Sequence, residues 1–454
     1  MGKFRDRLQA VIPGGAHTYS RGGDQFPKNA PEIVARGKGP WLIDSRGKKL
    51  LDYGMGLRAV SLGYRNSRVN RAVKRAIDRG NNLTLPHLLE LEAAELVVST
   101  IPGAEMVKFA KNGSNATTAA VKLARAYTGK DKILVPENQP FFSFDDWFIG
   151  STPVTRGIPE KTMAETIRFR YGDSAHLEEL LRVHEDQVAC VIMEPLTSLT
   201  PCSDHTSDED WQSRRGPCSA CEKDNDNFLR KVRRLCDDHG ALLIMDEMIT
   251  GFRWSERGAS RDFGVTPDLT TFGKAISNGF SLSFVAGRRE IMALGSIEPE
   301  GMERTFLLSS THGAEMTSLA AFIEVVDIYE RKSVSEHLWN FGQTLRSSIS
   351  QCVSEVGLSS QIVVQGPDPL LTLEFRAQDG ETSARARTLF LQEMVSNGVL
   401  IPWIAPSLAH GDYELSLTVT ALERSLPVVA RAMTSGDFSN LEGPPVQPVF
   451  RKFN

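Results

Sequence analysis

Lys274 closes the stretch Thr266-Pro267-Asp268-Leu269-Thr270-Thr271-Phe272-Gly273-Lys274, with a glycine before it and Gly279 five residues on. An amine set at the end of a short strand can condense with a carbonyl, although a lysine taken alone also reads as a surface cation. Upstream, the apolar run Ala241-Leu242-Leu243-Ile244-Met245 ends in Asp246-Glu247. A carboxylate at the end of a buried strand needs a cationic or hydrogen-bonding partner, and a protonated ring nitrogen is one such partner. A third segment, Lys111-Asn112-Gly113-Ser114-Asn115-Ala116, turns at glycine into a helix. Backbone N–H groups at a helix start suit a phosphate, yet many helices begin this way and bind nothing.

A fourth constellation stands apart. Cys202, His205, Cys218 and Cys221 follow the pattern C-x2-H-x12-C-x2-C in a polar insert between Glu194-Pro195 and Phe228. Two chelating pairs of this spacing can fold around a tetrahedral structural zinc ion, and the surrounding Ser, Asp, Glu, Arg and Gly supply no apolar core to fix the insert otherwise. A surface loop with incidental thiols and a disulfide between neighbours are the other readings. A catalytic metal is disfavoured, because four protein ligands leave no coordination position open. The remaining cysteines, Cys190, Cys236 and Cys352, lie in apolar or helical stretches and read as packing residues.

These residues need a frame, and the hydrophobic spacing supplies one. Helical periodicity runs from Ser67 to Ile77 and from Leu88 to Val98. Strand and helix then alternate: Met106–Ala110 extended, Ala116–Tyr127 helical, Ile133–Val135 extended, Val188–Met193 extended, Phe228–Cys236 helical, Ala241–Met245 extended. Continuous apolar strands in such alternation predict an α/β fold with a mainly parallel sheet covered on both faces. Glu194 and Asp246 directly follow two of those strands, at the edge where open α/β sheets bind ligands. A helix from Gly313 to Tyr329 leads out of this region. A strand at Leu370–Phe375, a helix at Ala384–Asn397, a strand at Gly398–Pro402 and a helix at Ala421–Met433 form a smaller C-terminal α/β domain. The expected division is an arm with short strands over 1–60, a large domain over 61–330 with the insert at 196–227, the small domain over 331–435, and an irregular tail over 436–454.

Composition excludes several classes. The chain has 454 residues, enough to bury a cofactor site, and 41% hydrophobic with 24% charged residues is a globular balance. A formal net charge of -4 gives no reason to expect nucleic acid. No apolar run approaches the roughly 18–20 residues that span a bilayer, and Met1-Gly2-Lys3-Phe4-Arg5-Asp6-Arg7 lacks the apolar core of a secretion signal, so a cytoplasmic location without membrane partner is expected. Six cysteines in so long a chain do not make a disulfide scaffold.

In their order and spacing the three segments resemble the class III, fold type I aminotransferases that depend on pyridoxal 5'-phosphate (PLP), most closely the glutamate-1-semialdehyde aminomutase branch. The resemblance covers nearly the whole chain and is most specific from Asp246 through Lys274 and on to Gly287-Arg288-Arg289-Glu290-Ile291-Met292. It implies a mainly parallel seven-stranded sheet in the large domain. It also implies that Lys274 binds PLP as a Schiff base and relays a proton, while Asp246 keeps the pyridine nitrogen protonated. Met248 would pack on one ring face and Phe141 on the other. Gly113, Ser114 and Asn115 would hold the phosphate, and Glu194 would lie beside the cofactor. Ser310 or Thr311, in Leu308-Ser309-Ser310-Thr311-His312-Gly313, would reach the phosphate of a second subunit, which implies a homodimer with shared sites. Arg21 stands where this branch binds the substrate carboxylate; an exposed arm arginine is the alternative.

The chain departs from the pattern in three places. Phe141-Phe142-Ser143 replaces the usual Tyr-His-Gly, which makes Phe142 a candidate substrate contact with an apolar flank. Residues 149–159 are shorter than the gating loop that retains the diamine intermediate in true aminomutases. The polar insert is longer than in relatives. These departures lead to an expected aminotransferase that moves an amino group from an amino acid donor such as glutamate to an aldehyde or keto group of a small acceptor, sugar-derived acceptors included. The alternatives are an aminomutase of the glutamate-1-semialdehyde type and a catalytically silent binding protein.

Overall fold

A computed structural model of the protein describes residues 3–139, 141–202, 209–298, 300–301 and 303–453. The chain forms two compact units, one of residues 67–335 and one that joins 1–66 to 336–454. The N-terminal segment therefore shares a unit with the C-terminal part of the chain, where the sequence reading treats the two separately.

In the latter unit, strands β1 (Val34–Lys38), β2 (Trp41–Asp44) and β3 (Lys49–Asp52) form an antiparallel meander. A short late strand, β13 (Val399–Leu400), adds to β3 in parallel. The strand expected at Gly398–Pro402 is thus confined to two residues, and Pro402, which lacks a backbone N–H, cannot extend the ladder as a donor. A hairpin of β11 (Ile362–Gln365) and β12 (Thr372–Phe375) completes the strands of this unit. Its core gathers Leu51, Tyr53, Leu345, Leu389, Phe390, Leu422 and Leu426. The last helix runs Asp412–Ser435 and begins nine residues before the Ala421 start expected from the apolar periodicity; Leu415 and Val419 of its first turns pack against the core of the unit.

The unit of residues 67–335 holds a seven-stranded sheet in the order β4-β10-β9-β8-β7-β5-β6. Its strands are β4 (Met106–Ala110), β5 (Lys132–Pro136), β6 (Thr166–Phe169), β7 (Val188–Met193), β8 (Leu242–Asp246), β9 (Leu269–Phe272) and β10 (Ser283–Gly287). From β9 to β6 every pairing is parallel; β10 runs antiparallel to both β9 and β4. The sheet is the mainly parallel one expected. Strands β7, β8, β9 and β10 are buried along their whole length, which is what a sheet covered on both faces requires of them. The small side chains Ala119, Ala120 and Ala124 of the Gly113–Thr128 helix let it lie close on this sheet, in a core with Ile133, Ile192 and Ile244. Among the described residues no helix is long and apolar enough to cross a membrane.

Candidate active site

The β8–β9 register sets the centre of the site. Asp246, the last residue of β8, stands opposite Thr271. The Thr271 hydroxyl donates to Asp246 Oδ1 at 2.9 Å and the Met248 N–H donates to the same oxygen at 3.0 Å. Both of these donors end on Oδ1. Burial pushes the Asp246 carboxyl up to about 6, against the pull of the Lys274 charge and of its two donors. The next residue, Glu247, shapes the turn that carries Asp246: its buried carboxylate accepts the N–H groups of Ala259 and Ser260 at 2.9 Å and the Thr250 hydroxyl.

Lys274 follows β9 directly. It takes φ +49, a left-handed conformation unfavourable for a lysine by about 1–2 kcal/mol, and opens the tight turn Lys274–Ser277 that closes at Asn278, also left-handed. Such strain persists only where the surroundings impose it, and here Phe272 and Ala275 on either side are buried. The lysine is half-buried, close enough to Asp246 to hold its carboxyl down.

Met248 ties the third segment to the other two. A Cβ built on Gly113 would lie 3.1 Å from Met248 Sδ, and one built on Gly273 would lie 2.5 Å from the same sulfur. The start of the Gly113–Thr128 helix, the residue after the buried carboxylates and the residue before Lys274 therefore meet around one thioether. At that helix start Asn112 is the cap, its side chain accepting the Asn115 N–H at 3.0 Å. Asn115 thus spends its backbone amide on the cap, whereas the N–H groups of Gly113 and Ser114 carry no acceptor among the described residues and can receive an anion. Ser114 Oγ is engaged, accepting the Phe144 N–H at 3.0 Å. The turn is held to β10 by Ser283, whose hydroxyl donates to the Asn112 carbonyl at 2.6 Å.

The other predicted residues are distributed unevenly. Glu194, at the carboxyl end of β7, is buried, and its backbone N–H and carbonyl are both taken by the Gln139 side chain, at 2.8 and 2.9 Å. Phe141 is 44% exposed, its ring edge-on to Phe148. Phe142 is 2% exposed and packs edge-on against Phe148 at 5.5 Å within the core of the unit, so its ring belongs to that core and not to a substrate wall. Ser310 and Thr311 lie on an exposed stretch without regular structure. Arg21 is exposed on a short turn of the other unit, Tyr19–Arg21. Cys202, Cys218 and Cys221 come together with their sulfurs within 4.8 Å of one another, while His205 lies outside the described residues. Thr271, Gln139 and Asn112 escape the sequence reading; of these only Asn112, an asparagine before Gly-Ser at a helix start, carries a local signal.

Comparison with known proteins agrees with this geometry. The profile of the family described as Aminotransferase class-III matches residues 24–200 and 221–409. A glutamate-1-semialdehyde 2,1-aminomutase of Methanothrix thermoacetophila is 35% identical over 365 residues, covering 79% of this chain and 78% of its own. The corresponding protein of Thermomicrobium roseum is 29% identical and covers 95% of this chain and 98% of its own. Among solved structures, the FumI protein of Sphingopyxis sp. MTA144, a PLP form, superposes with a TM-score of 0.81 at 25% identity over 95% of this chain and 97% of that one. A glutamate-1-semialdehyde aminomutase of Pseudomonas aeruginosa PAO1 shares the fold, with a TM-score of 0.78 at 19% identity over 94% of both chains. A family match over most of the length, a fold held in common and a buried carboxylate, a lysine and a helix start meeting at one sheet edge lead to one conclusion: the chain belongs to the class-III aminotransferase family.

Proposed function

We propose that this class-III enzyme holds PLP at Lys274, Asp246 and the start of the Gly113–Thr128 helix and uses it to move an amino group on a small carbonyl-bearing substrate. The approach of Gly113 and Gly273 to the Met248 sulfur supports this reading, because the segments that carry a helix start, an amine and a buried carboxylate meet there. The chemistry of the residues suits the cofactor: the Asp246 carboxylate would accept a ring N–H, the Gly113 and Ser114 amides would donate to a phosphate, and Met248 would line one flat face. When bound, PLP supplies an electron sink for the carbanion left by deprotonation. Asp246, as carboxylate, holds the proton on the ring nitrogen; Thr271 and the Met248 amide fix the angle of that carboxylate. Lys274 Nζ takes the proton from the carbon that bears the amino group and returns it to the next acceptor position. Phe141 covers the second ring face, Glu194 borders the site, Arg21 binds the substrate carboxylate, and Ser310 or Thr311 serves the phosphate of a second copy in a homodimer.

Movement of the amino group within one molecule is the favoured form of the reaction, since the relatives named above are aminomutases. This reverses the order expected from the sequence, where transfer between two molecules came first. Transfer from an amino acid donor such as glutamate to an aldehyde or keto acceptor keeps one observation on its side. Residues 146–163 fold into two short helices, Asp146–Ile149 and Glu160–Met163, with Gly150 packed between Asp146 and Met163, where a gating loop would need freedom to move.

Two assays separate the readings. The PLP-loaded protein is incubated with an amino aldehyde alone, and separately with a panel of amino acids while loss of the yellow absorbance is followed. Turnover without any donor supports the mutase; donor-dependent bleaching followed by amination of an added aldehyde supports transfer. No response in either, together with failure of borohydride to fix cofactor on the Lys274 peptide, overturns the proposal.

A further inference from the structure

The cysteine-bearing insert is the part of the chain that the family profile passes over, between residues 200 and 221. It is also poor in apolar residues: Ser, Thr, Asp, Glu, Arg and Lys dominate 203–226. A polar excursion of this length cannot hold itself by hydrophobic burial, and what meets at its base is sulfur. Cys202 lies in the turn after the β7 edge, Cys218 caps the short helix Ser219–Asp224, and Cys221 sits inside that helix. All three are at most 3% exposed, each is a free thiol, and their sulfurs lie within 4.8 Å of one another. The Cys218 N–H donates to Cys202 Sγ at 3.1 Å, the kind of bond that orients and supports a thiolate ligand.

We infer that Cys202, Cys218 and Cys221 bind a structural zinc ion that fastens the insert to the end of β7 and to the start of the Phe228–Asp238 helix. Tetrahedral zinc with Zn–S bonds of about 2.3 Å holds its sulfurs roughly 3.8 Å apart, within the separation these three already have. Three soft thiolates select zinc over magnesium or calcium, which take oxygen. The anchoring is already laid out in the backbone: the Phe228 N–H donates to the Pro201 carbonyl at 2.9 Å, the Asp226 N–H to the Cys221 carbonyl at 3.1 Å, and the Tyr171 hydroxyl to the Pro195 carbonyl at 2.6 Å. The ion would therefore close a loop whose two ends are already pinned, and would stabilise it by binding the folded arrangement of thiolates in preference to the unfolded chain. The three thiolates alone define the site; His205, the fourth ligand expected from the spacing, is outside the described residues.

The test uses the whole 454-residue chain, produced in zinc-supplemented medium and purified without an immobilised-metal step. Elemental analysis is expected to find one zinc per chain, lost from the Cys218→Ser/Cys221→Ser variant and retained by the control Cys352→Ser, whose thiol is buried elsewhere. Should the double variant fold poorly, exchange of the unaltered protein with Co²⁺ decides independently, since tetrahedral thiolate ligation produces intense ligand-field bands in the red, away from PLP absorbance. Wild-type protein without stoichiometric zinc and without those bands overturns the inference. So does iron in place of zinc, or a thiol count that rises by two on reduction, which would mean a disulfide. Neither the metal content nor the cobalt spectrum depends on PLP chemistry, so this result and that of the amino-transfer assays stand or fall separately.

Discussion

Asp246 is a carboxylate that the fold has made costly to ionise and then supplied with reasons to ionise. Burial raises it, Lys274, Thr271 and the Met248 amide draw it back, and the balance stands at about 6. A bound ring nitrogen carrying a proton would complete that set. PLP affinity of the apoprotein is therefore expected to strengthen as pH rises through about 6, where the carboxylate forms, and to level off above it. Asp246→Asn should remove this pH step and weaken binding by about 100-fold or more, in line with the 3–5 kcal/mol lost when one partner of a buried pair is deleted. Absorbance titrations across pH 5 to 8 check both points; a variant that keeps the step would show that another group sets it. Thr271 acts through Asp246 as a positioning residue. Thr271→Val deletes a donor to the charged form, so the carboxyl should rise further and the acid limb of kcat/KM should move to higher pH, with a loss of about 10-fold at neutral pH. Thr271→Ser, which keeps the hydroxyl, should restore the profile; an unchanged limb in the valine variant would contradict the role.

Between elements, the decisive contacts are made where glycine lets backbone and side chain approach. Gly273 has an ordinary extended backbone, so its requirement is spatial: a methyl group there meets Met248 Sδ at 2.5 Å. Gly273→Ala should leave the fold intact, because a thioether end can swing away, yet loosen the cofactor face by about 1–2 kcal/mol. A raised PLP Kd with an unchanged Tm of the apoprotein is the expected result, and a fall in Tm equal to that of a core mutant would show a packing role only. Gly342, in the Val334–Glu355 helix, is a contrasting case. A Cβ there would overlap the carbonyl oxygen of Asp368, and backbone cannot swing away. Gly342→Ala is expected to destabilise the protein by about 1–3 kcal/mol, read from denaturant midpoints.

For the protein as a body, the buried carboxylates set the pH dependence of stability. Burial lifts Asp52 to about 6, despite the hydroxyl of Tyr64 donating to it at 2.6 Å, and Glu247 is raised by the same cause. With Asp246, each group binds its proton more tightly folded than unfolded. For Asp52 and Asp246 this contribution is full below the unfolded carboxylate range and is lost as pH rises through about 6, on the order of 2–3 kcal/mol each for a two-unit shift, and Glu247 acts in the same direction. Thermal unfolding of the apoprotein should therefore show a lower Tm at pH 7 than at pH 5. In the PLP-bound protein Asp246 is paired as carboxylate, so the difference in Tm between bound and apo forms should widen across the same interval. A difference that narrows would mean that Asp246 does not face the ring nitrogen.

Much of this was readable from residue order. The continuous apolar runs Val188–Met193 and Ala241–Met245 read as strands buried on both faces, and the polar residue after each marks the sheet edge; these patterns are local, so they survive in the linear chain. The spacing of Cys202, Cys218 and Cys221 announced a cluster before any fold was known. What needed three dimensions was everything decided by pairing and packing between distant segments. Strands β6 and β10 lie outside the segments placed from sequence, and it is the ladder they form, β6 with β5 and β10 with β9 and β4, that defines them. Thr271 serves Asp246 through a strand register 25 residues long in sequence, and Gln139 reaches Glu194 across 55. Phe142 and Phe141 are chemically alike neighbours, yet one is sealed in the core and the other stands exposed. Side-chain direction is not written in residue type; it follows from which face of the backbone the surrounding elements cover.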